Sequence, residues 1–218
     1  MKIPEKTINR LSVYYRYLYF LSQQGTDSLS SKNLADLVGS NPSQVRKDLS
    51  YFGGFGKTGK GYSVLDLKSQ IARILGLEKG RKVAIIGMGN LGSALAGYKG
   101  FEVLGFKITA VFDNNPQKIG KKYKGKICQD IAEFPSAVKN DGIEMVILTV
   151  PSEVAQDIAR IIVNAGIKAI LNFAPVHLNV PKEVKVSEID LASELKSLSF
   201  FVSGHQYLRK GLLTEKLK

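Results

Sequence analysis

The chain is predicted to be α/β, with an N-terminal winged-helix (helix-turn-helix) domain, a Rossmann-type parallel-sheet domain and a C-terminal dimerisation helix. Three observations predict this. Two short amphipathic helical stretches meet at Gly39-Ser40 and lead into a loop rich in glycine and lysine. An apolar run, Val83 to Ile86, enters Gly87-Met88-Gly89-Asn90-Leu91-Gly92 and then a helical period. Apolar strands then alternate with helices as far as Val176, before one last amphipathic run. These features place the domains at 1–78, 79–186 and 187–218.

Length and composition agree with two folded cores. The 218 residues are 44% hydrophobic and 23% charged, which excludes a disordered chain. The net charge is +12, which points to a polyanionic partner such as nucleic acid or a membrane surface. Residues 1–80 carry 12 Lys/Arg against 6 Asp/Glu, so the basic excess is densest at the front. The start lacks the apolar stretch of a signal peptide, and no run approaches the ~18 apolar residues of a membrane span. A cytoplasmic location is expected. The single cysteine, Cys128, is read as a packing residue, since no local motif surrounds it.

From Pro4 to Gln24, Ile8, Leu11, Tyr15 and Leu18 recur at helical spacing, and Gly25 follows. A second helix fits residues 30–39, with Ser30 as N-cap, Leu34, Leu37 and Val38 inward and Gly39 as the stop. The third starts with Asn41 as N-cap, Pro42 at N1 and Gln44 at N3, and turns Val45, Leu49 and Phe52 inward. Ser43, Gln44, Arg46, Lys47, Ser50 and Tyr51 then lie on its outer face and flanks. This is the pattern of a helix-turn-helix whose second helix enters the major groove.

The loop after it, "SYFGGFGKTGKGY", nearly spells a nucleotide-binding P-loop. Gly54, Gly59 and Lys60 fit G-x-x-x-x-G-K-[ST], but Gly61 replaces the hydroxyl; Gly56-Lys57-Thr58 ends correctly, but Tyr51 stands where a glycine is needed. The loop lies between a basic helix and another helix that runs through Val64, Leu67, Ile71, Ile74 and Leu75. It is read as a wing, with Lys57 and Lys60 reaching phosphate.

In the sheet domain G-x-G-x-x-G stands in strand–turn–helix context, where the glycines allow a tight turn, close approach of a pyrophosphate and helix-to-strand packing. Gly87, Met88, Gly89, Asn90, Leu91, Gly92, Ser93 and Ala94 are therefore cofactor-site candidates. The second strand, "FKITAVFD", ends in Asp113, 26 residues after Gly87, where an acid accepts from ribose hydroxyls and favours NAD. Lys118, Lys121 and Lys122 leave NADP open. Thr149, Val150, Pro151, Ala174 and Pro175 end the later strands and are candidates for the nicotinamide side. Only 42 residues follow Val176, too few for a substrate domain, so no catalytic residue is assigned. His177 lies at a strand end without a polar partner in sequence, and His205 is assigned to solvent. The last run is amphipathic through Leu191, Leu195, Leu198 and Val202, with Ser187 and Asp190 matching a capping box.

With "SQVRKDLSYFGGFGKTGKGY", "GMGNLGSALA", "ILNFAPV" and the terminal helix in this order, the chain resembles the Rex family of redox-sensing transcriptional repressors. The resemblance implies a homodimer that exchanges its terminal helices, binds palindromic operator DNA when NADH is scarce and releases it when NADH binds. It implies that Arg46 and Lys47 contact DNA, that Gly87, Gly89 and Gly92 take the pyrophosphate, and that Asp113 takes the ribose. It also assigns Tyr98 and Asp190 to contacts that alternate between redox states, and Arg16 to domain coupling. Some members carry an aromatic residue after that acid, where this chain has Leu191. NADH and NAD+ are the implied cofactors. A small NAD-dependent oxidoreductase and a coenzyme A-binding Rossmann protein remain as alternatives.

Overall fold

The computed structural model describes residues 3–55 and 61–209, with side chains of the last helix described to residue 202. The chain forms two compact units, Met1–Arg81 with Gly100–Phe106, and Lys82–Lys99 with Lys107–Lys218.

The first unit contains α1 (Glu5–Gln23), β1 (Ser28–Leu29), α2 (Ser31–Val38), α3 (Pro42–Ser50), β2 (Tyr62–Ser63) and α4 (Val64–Ile74). Its core is built from Leu11, Tyr14 and Leu18 of α1, Leu34 and Ala35 of α2, Val45 and Leu49 of α3, and Val64, Leu67 and Ile71 of α4. Ser30 caps α2 by accepting from the Asn33 N–H at 3.0 Å, while Asn33 accepts in return from the Ser30 N–H at 3.3 Å. Gly39, at φ 65°, ends the helix in the left-handed conformation that glycine adopts without penalty. Asn41 opens α3 by accepting from the Gln44 N–H at 2.8 Å. Leu37 departs from expectation. It is 40% exposed, because the inward stripe of α2 runs through Leu34 and Ala35 instead.

The two short strands pair antiparallel, Ser28 with Ser63 and Leu29 with Tyr62. Gly61 precedes β2 at φ 74°, and a Cβ there would stand 2.6 Å from the Leu29 carbonyl oxygen. The glycine therefore lets the strand come back against β1. Lys57 and Lys60, expected on the wing, lie outside the described residues.

The second unit is organised by a seven-stranded sheet. It comprises β3 (Arg81–Ile86), β4 (Phe106–Asp113), β5 (Lys122–Tyr123), β6 (Lys126–Asp130), β7 (Met145–Leu148), β8 (Ala169–Asn172) and β9 (Lys185–Glu188), in the order β5-β6-β4-β3-β7-β8-β9. β5 runs antiparallel to β6, whereas β3 with β7, β4 with β6, β7 with β8 and β8 with β9 pair parallel. Counting the parallel strands in chain order gives 3-2-1-4-5-6, the order of dinucleotide-binding sheets. The order reverses between β3 and β7, and that switch point is where such sheets hold ligands.

The helices between its strands are α5 (Asn90–Ala96), α7 (Phe134–Asp141), which follows a 3-10 turn at Ile131–Glu133, and α8 (Ser152–Asn164), while α6 (Lys99–Val103) falls almost wholly in the segment grouped with the first unit. Phe112 of β4 and Phe134 of α7 are fully buried and meet edge to face at 5.3 Å between ring centres, an arrangement that adds to the burial of both rings. Cys128 is buried in β6 opposite Val111, and burial pushes its thiol upward, in keeping with a packing role.

The terminal segment is expected to start at Ser187 with a capping box to Asp190, but residues 185–188 form β9, so Ser187 lies in a strand and caps nothing. The helix, α9 (Leu191–Arg209), starts after Asp190. Asp190 itself is the cap: Oδ1 accepts from the N–H groups of Ala192 and Ser193, both at 3.0 Å, and Oδ2 accepts from the Ser193 hydroxyl at 2.5 Å. Leu191, Leu195, Leu198, Phe201 and Val202 are all exposed, so this helix carries an apolar surface left uncovered among the described residues.

Candidate functional site

The glycine loop at the switch point is shaped by its contacts with β4 and β7. Gly87 adopts φ 99° and donates to the Phe112 carbonyl at 2.8 Å. A side chain there would collide with the Thr149 carbonyl at 2.7 Å and with Val150 at 2.9 Å. Gly92 lies in the first turn of α5, where a Cβ would run into the Gly87 carbonyl oxygen and meet the Thr149 hydroxyl at 2.8 Å. Its absence lets the helix close on the strand. The Thr149 hydroxyl fastens this corner by donating to the Gly87 carbonyl at 2.7 Å. Gly89 has nothing within 4 Å of where its Cβ would stand, the open backbone that a pyrophosphate requires.

Asp113 ends β4 beside this loop and is 6% exposed. Its Oδ2 accepts from the Met88 N–H at 2.7 Å and from Lys118 Nζ at 2.8 Å, and its Oδ1 accepts from the Asn115 N–H at 2.9 Å. Burial works against ionisation, but the Lys118 ammonium and the two backbone N–H groups outweigh it and hold the carboxyl below its ordinary value. Asp113 is thus an anion in the neutral range and ties the loop to the second strand.

A cleft of ≈ 380 Å³ joins Gly87 and Gly89 to Asp113 and Lys118 at one end, and to Thr149, Val150 and Pro151 at the other. Ile131, Val154 and Ile158 form apolar walls. The structure therefore brings six of the expected cofactor residues to one cavity. Met88 is buried and contributes its N–H to Asp113. Asn90, Leu91, Ser93 and Ala94 belong to the helix behind the loop. Ala174 and Pro175 do not line the cleft. Ala174 is buried, with its N–H on Asn172 Oδ1 at 2.9 Å, while Asn172 Nδ2 donates to the Val176 carbonyl at 2.9 Å. His177 gains a partner that its local sequence did not offer, Glu188 at 2.7 Å from Nδ1, and stays 84% exposed. His205 falls where side chains are not described.

On α3, Ser43, Arg46, Lys47 and Ser50 are exposed, and Gln44 and Tyr51 are half-buried. The Arg46 guanidinium donates to the hydroxyls of Ser31 at 3.0 Å and Ser43 at 3.2 Å, which holds it over the start of α2 and α3. The inner face of α3 also contains a charged residue, Asp48. Asp48 is fully buried and accepts from Arg10 Nε at 2.5 Å and Nη2 at 2.6 Å, Tyr14 OH at 2.8 Å, Gln44 Nε2 at 2.9 Å and Thr7 Oγ1 at 3.2 Å. Burial alone would raise its pKa, but the donors from Arg10, Tyr14 and Gln44 prevail and lower it. Its place was legible in principle, since residue 48 falls between 45 and 49 and 52 on the inward face.

Arg16 is exposed on α1 with its guanidinium over the Tyr17 ring at 5.4 Å. Tyr98 is 59% exposed, and Asp190 carries the cap of α9.

A family model described as the N-terminus of a putative DNA-binding protein matches residues 2–50, and a CoA binding domain model matches residues 78–176. The redox-sensing transcriptional repressor Rex of Desulfitobacterium hafniense is 50% identical over 202 residues, covering 93% of this chain and 96% of the relative. The chain belongs to the Rex family. The Rex repressor of Thermus thermophilus is 46% identical over 202 residues, covering 93% of this chain and 95% of that one. Among solved structures, the Rex-family repressor RSP in complex with β-NAD+ and operator DNA aligns with a TM-score of 0.91 at 36% identity, covering 100% of both chains. RSP in complex with β-NADH aligns at 0.83 and 36% identity, covering 96% of this chain and 99% of that one. For this Rex-family chain the two units correspond to the expected classes of module: a helical DNA-binding fold with a basic outer helix, and a sheet of dinucleotide-binding order. No helix among the described residues is long and apolar enough to cross a membrane.

Proposed function

We propose that the chain is an NADH/NAD+-responsive transcriptional repressor that binds palindromic operator DNA as a homodimer and is released by NADH. It acts in the cytoplasm and turns over no substrate. The observation that carries this reading is Asp113, an ionised carboxylate at the end of the second strand, joined to the glycine loop at the sheet's switch point. The coenzyme A alternative has no use for a ribose-reading acid at this position, and the oxidoreductase alternative has no use for the basic face of α3.

In this reading Gly87, Gly89 and Gly92 admit the pyrophosphate, Asp113 accepts from the adenosine ribose, and Thr149, Val150 and Pro151 border the nicotinamide. The reduced nicotinamide is neutral and the oxidised ring is a cation, so apolar walls such as Val154 and Ile158 favour the reduced form. That difference in affinity is the only quantity that can shift a two-state dimer. The apolar residues of α9 pack against the partner subunit, and Arg16, Tyr98 and Asp190 change contacts between the states. Operator contacts come from Ser43, Gln44, Arg46, Lys47, Ser50 and Tyr51, with Lys57 and Lys60 on flanking phosphate. Binding two half-sites requires the recognition helices about 34 Å apart, and the NADH-bound state breaks that spacing.

The test is direct ligand binding by calorimetry, with NADH, NAD+ and coenzyme A presented to the unaltered protein and to Asp113→Ala. NADH should bind more tightly than the other two, and Asp113→Ala should weaken NADH by about tenfold or more while keeping operator affinity. Preference for coenzyme A, indifferent to the substitution, would sink the proposal.

A further inference from the structure

The ribose end of the cleft holds a cation as well as an acid. Lys118 follows β4 by five residues and sets its Nζ 2.8 Å from Asp113 Oδ2. Of the three lysines in this stretch, Lys121 and Lys122 are exposed and do not line the cleft, whereas Lys118 does. The Lys118 side chain is 30% exposed against 6% for Asp113, so the lysine is the more accessible member of the pair.

The donor and acceptor count makes the same point. A carboxylate accepts about four hydrogen bonds. Asp113 already takes the N–H groups of Met88 and Asn115 and the Lys118 ammonium, so roughly one acceptor site remains, on Oδ1. An ammonium has three donors, and Lys118 places one on Asp113. A ribose diol therefore meets one acceptor and a cation with donors to spare.

We propose that Lys118 is a cofactor-contacting residue that sets discrimination at the adenosine 2′ position. Asp113 accepts from one ribose hydroxyl while Lys118 donates to the neighbouring oxygen. By standing against Asp113, Lys118 also lowers the repulsion that a 2′-phosphate meets there. The acid's usual bias against 2′-phosphorylated dinucleotides is thereby reduced, and Lys118 decides by how much. The inference rests on the dinucleotide reading of the cleft.

The experiment measures dissociation constants of NADH and NADPH by isothermal titration calorimetry, with displacement titrations for the weaker ligand. It compares the unaltered protein, Lys118→Ala, Lys118→Gln and Lys118→Arg. Both neutral variants should weaken NADPH at least about tenfold more than NADH, and Lys118→Arg, which keeps the charge, should preserve the unaltered ratio. Equal losses of the two ligands in both neutral variants would overturn the role of Lys118, as would no NADPH binding by the unaltered protein at millimolar concentration. Failure of the unaltered protein to bind NADH would instead remove the dinucleotide reading, and the role of Lys118 with it.

Discussion

Asp48 is fully buried in a helix whose outer face is basic, and five donor atoms from three other positions of the unit and from Gln44 converge on it. A buried carboxylate is tolerable only when its charge is answered. Arg10 and Tyr14 lie one helical turn apart on α1 and supply the answer, which fixes α3 against α1. Because its folded pKa is lowered from 3.8, Asp48 contributes stability that is present above pH 3.8 and is lost as pH falls through the lower folded value. Asp48→Ala should cost about 1–3 kcal/mol by leaving the buried Tyr14 hydroxyl without its acceptor, read as a fall in midpoint of urea unfolding; a loss below about 0.5 kcal/mol would contradict this account. The acid-unfolding transition should also become shallower in that variant. Asp113 was legible in the sequence because it ends the second apolar strand after the glycines, even though its separation of 26 residues from Gly87 is longer than the usual ~20. Asp48 was legible only as an inward position and not as a buried charge, because Thr7, Arg10 and Tyr14 are 34 to 41 residues away and a lone acid in a basic helix reads as solvated.

At the scale of elements, caps and periods carried most of the information. Ser30, Gly39 and Asn41 mark the ends of α2 and the start of α3 through their own hydrogen bonds or backbone angle, and β4 ends at Asp113, one residue past its apolar run. The terminal region was harder. Residues 185–188 alternate only weakly, and what makes them a strand is the open edge of β8, which supplies partners from Ala169 to Asn172. Pairing of that kind is tertiary and leaves no local period. The outer face of α3 makes a separate prediction. Arg46→Ala combined with Lys47→Ala should abolish operator-specific binding, and the slope of log affinity against log salt should shrink by about 1 for each phosphate contact removed. Calorimetric NADH affinity should be unchanged in that variant. Retention of specific operator binding would remove α3 from the recognition surface.

For the whole molecule, charge and sheet order state two halves of one function. The net charge of +12, densest before residue 81, suits a polyanion, and the 3-2-1-4-5-6 order puts a ligand cleft at one switch point. Neither half alone requires the other. The link is linkage itself, since a ligand alters DNA affinity only by the difference in its own affinity for the two states. In the proposed reading the exposed apolar residues of α9 meet a second copy, which a two-fold operator requires. The measurement that tests the account most directly is fluorescence anisotropy of a labelled palindromic operator duplex with the protein, titrated separately with NADH and with NAD+ at fixed salt. The account predicts that NADH releases the DNA at concentrations where NAD+ leaves the complex intact. Specific binding indifferent to both dinucleotides, or release by both at the same concentration, would contradict it.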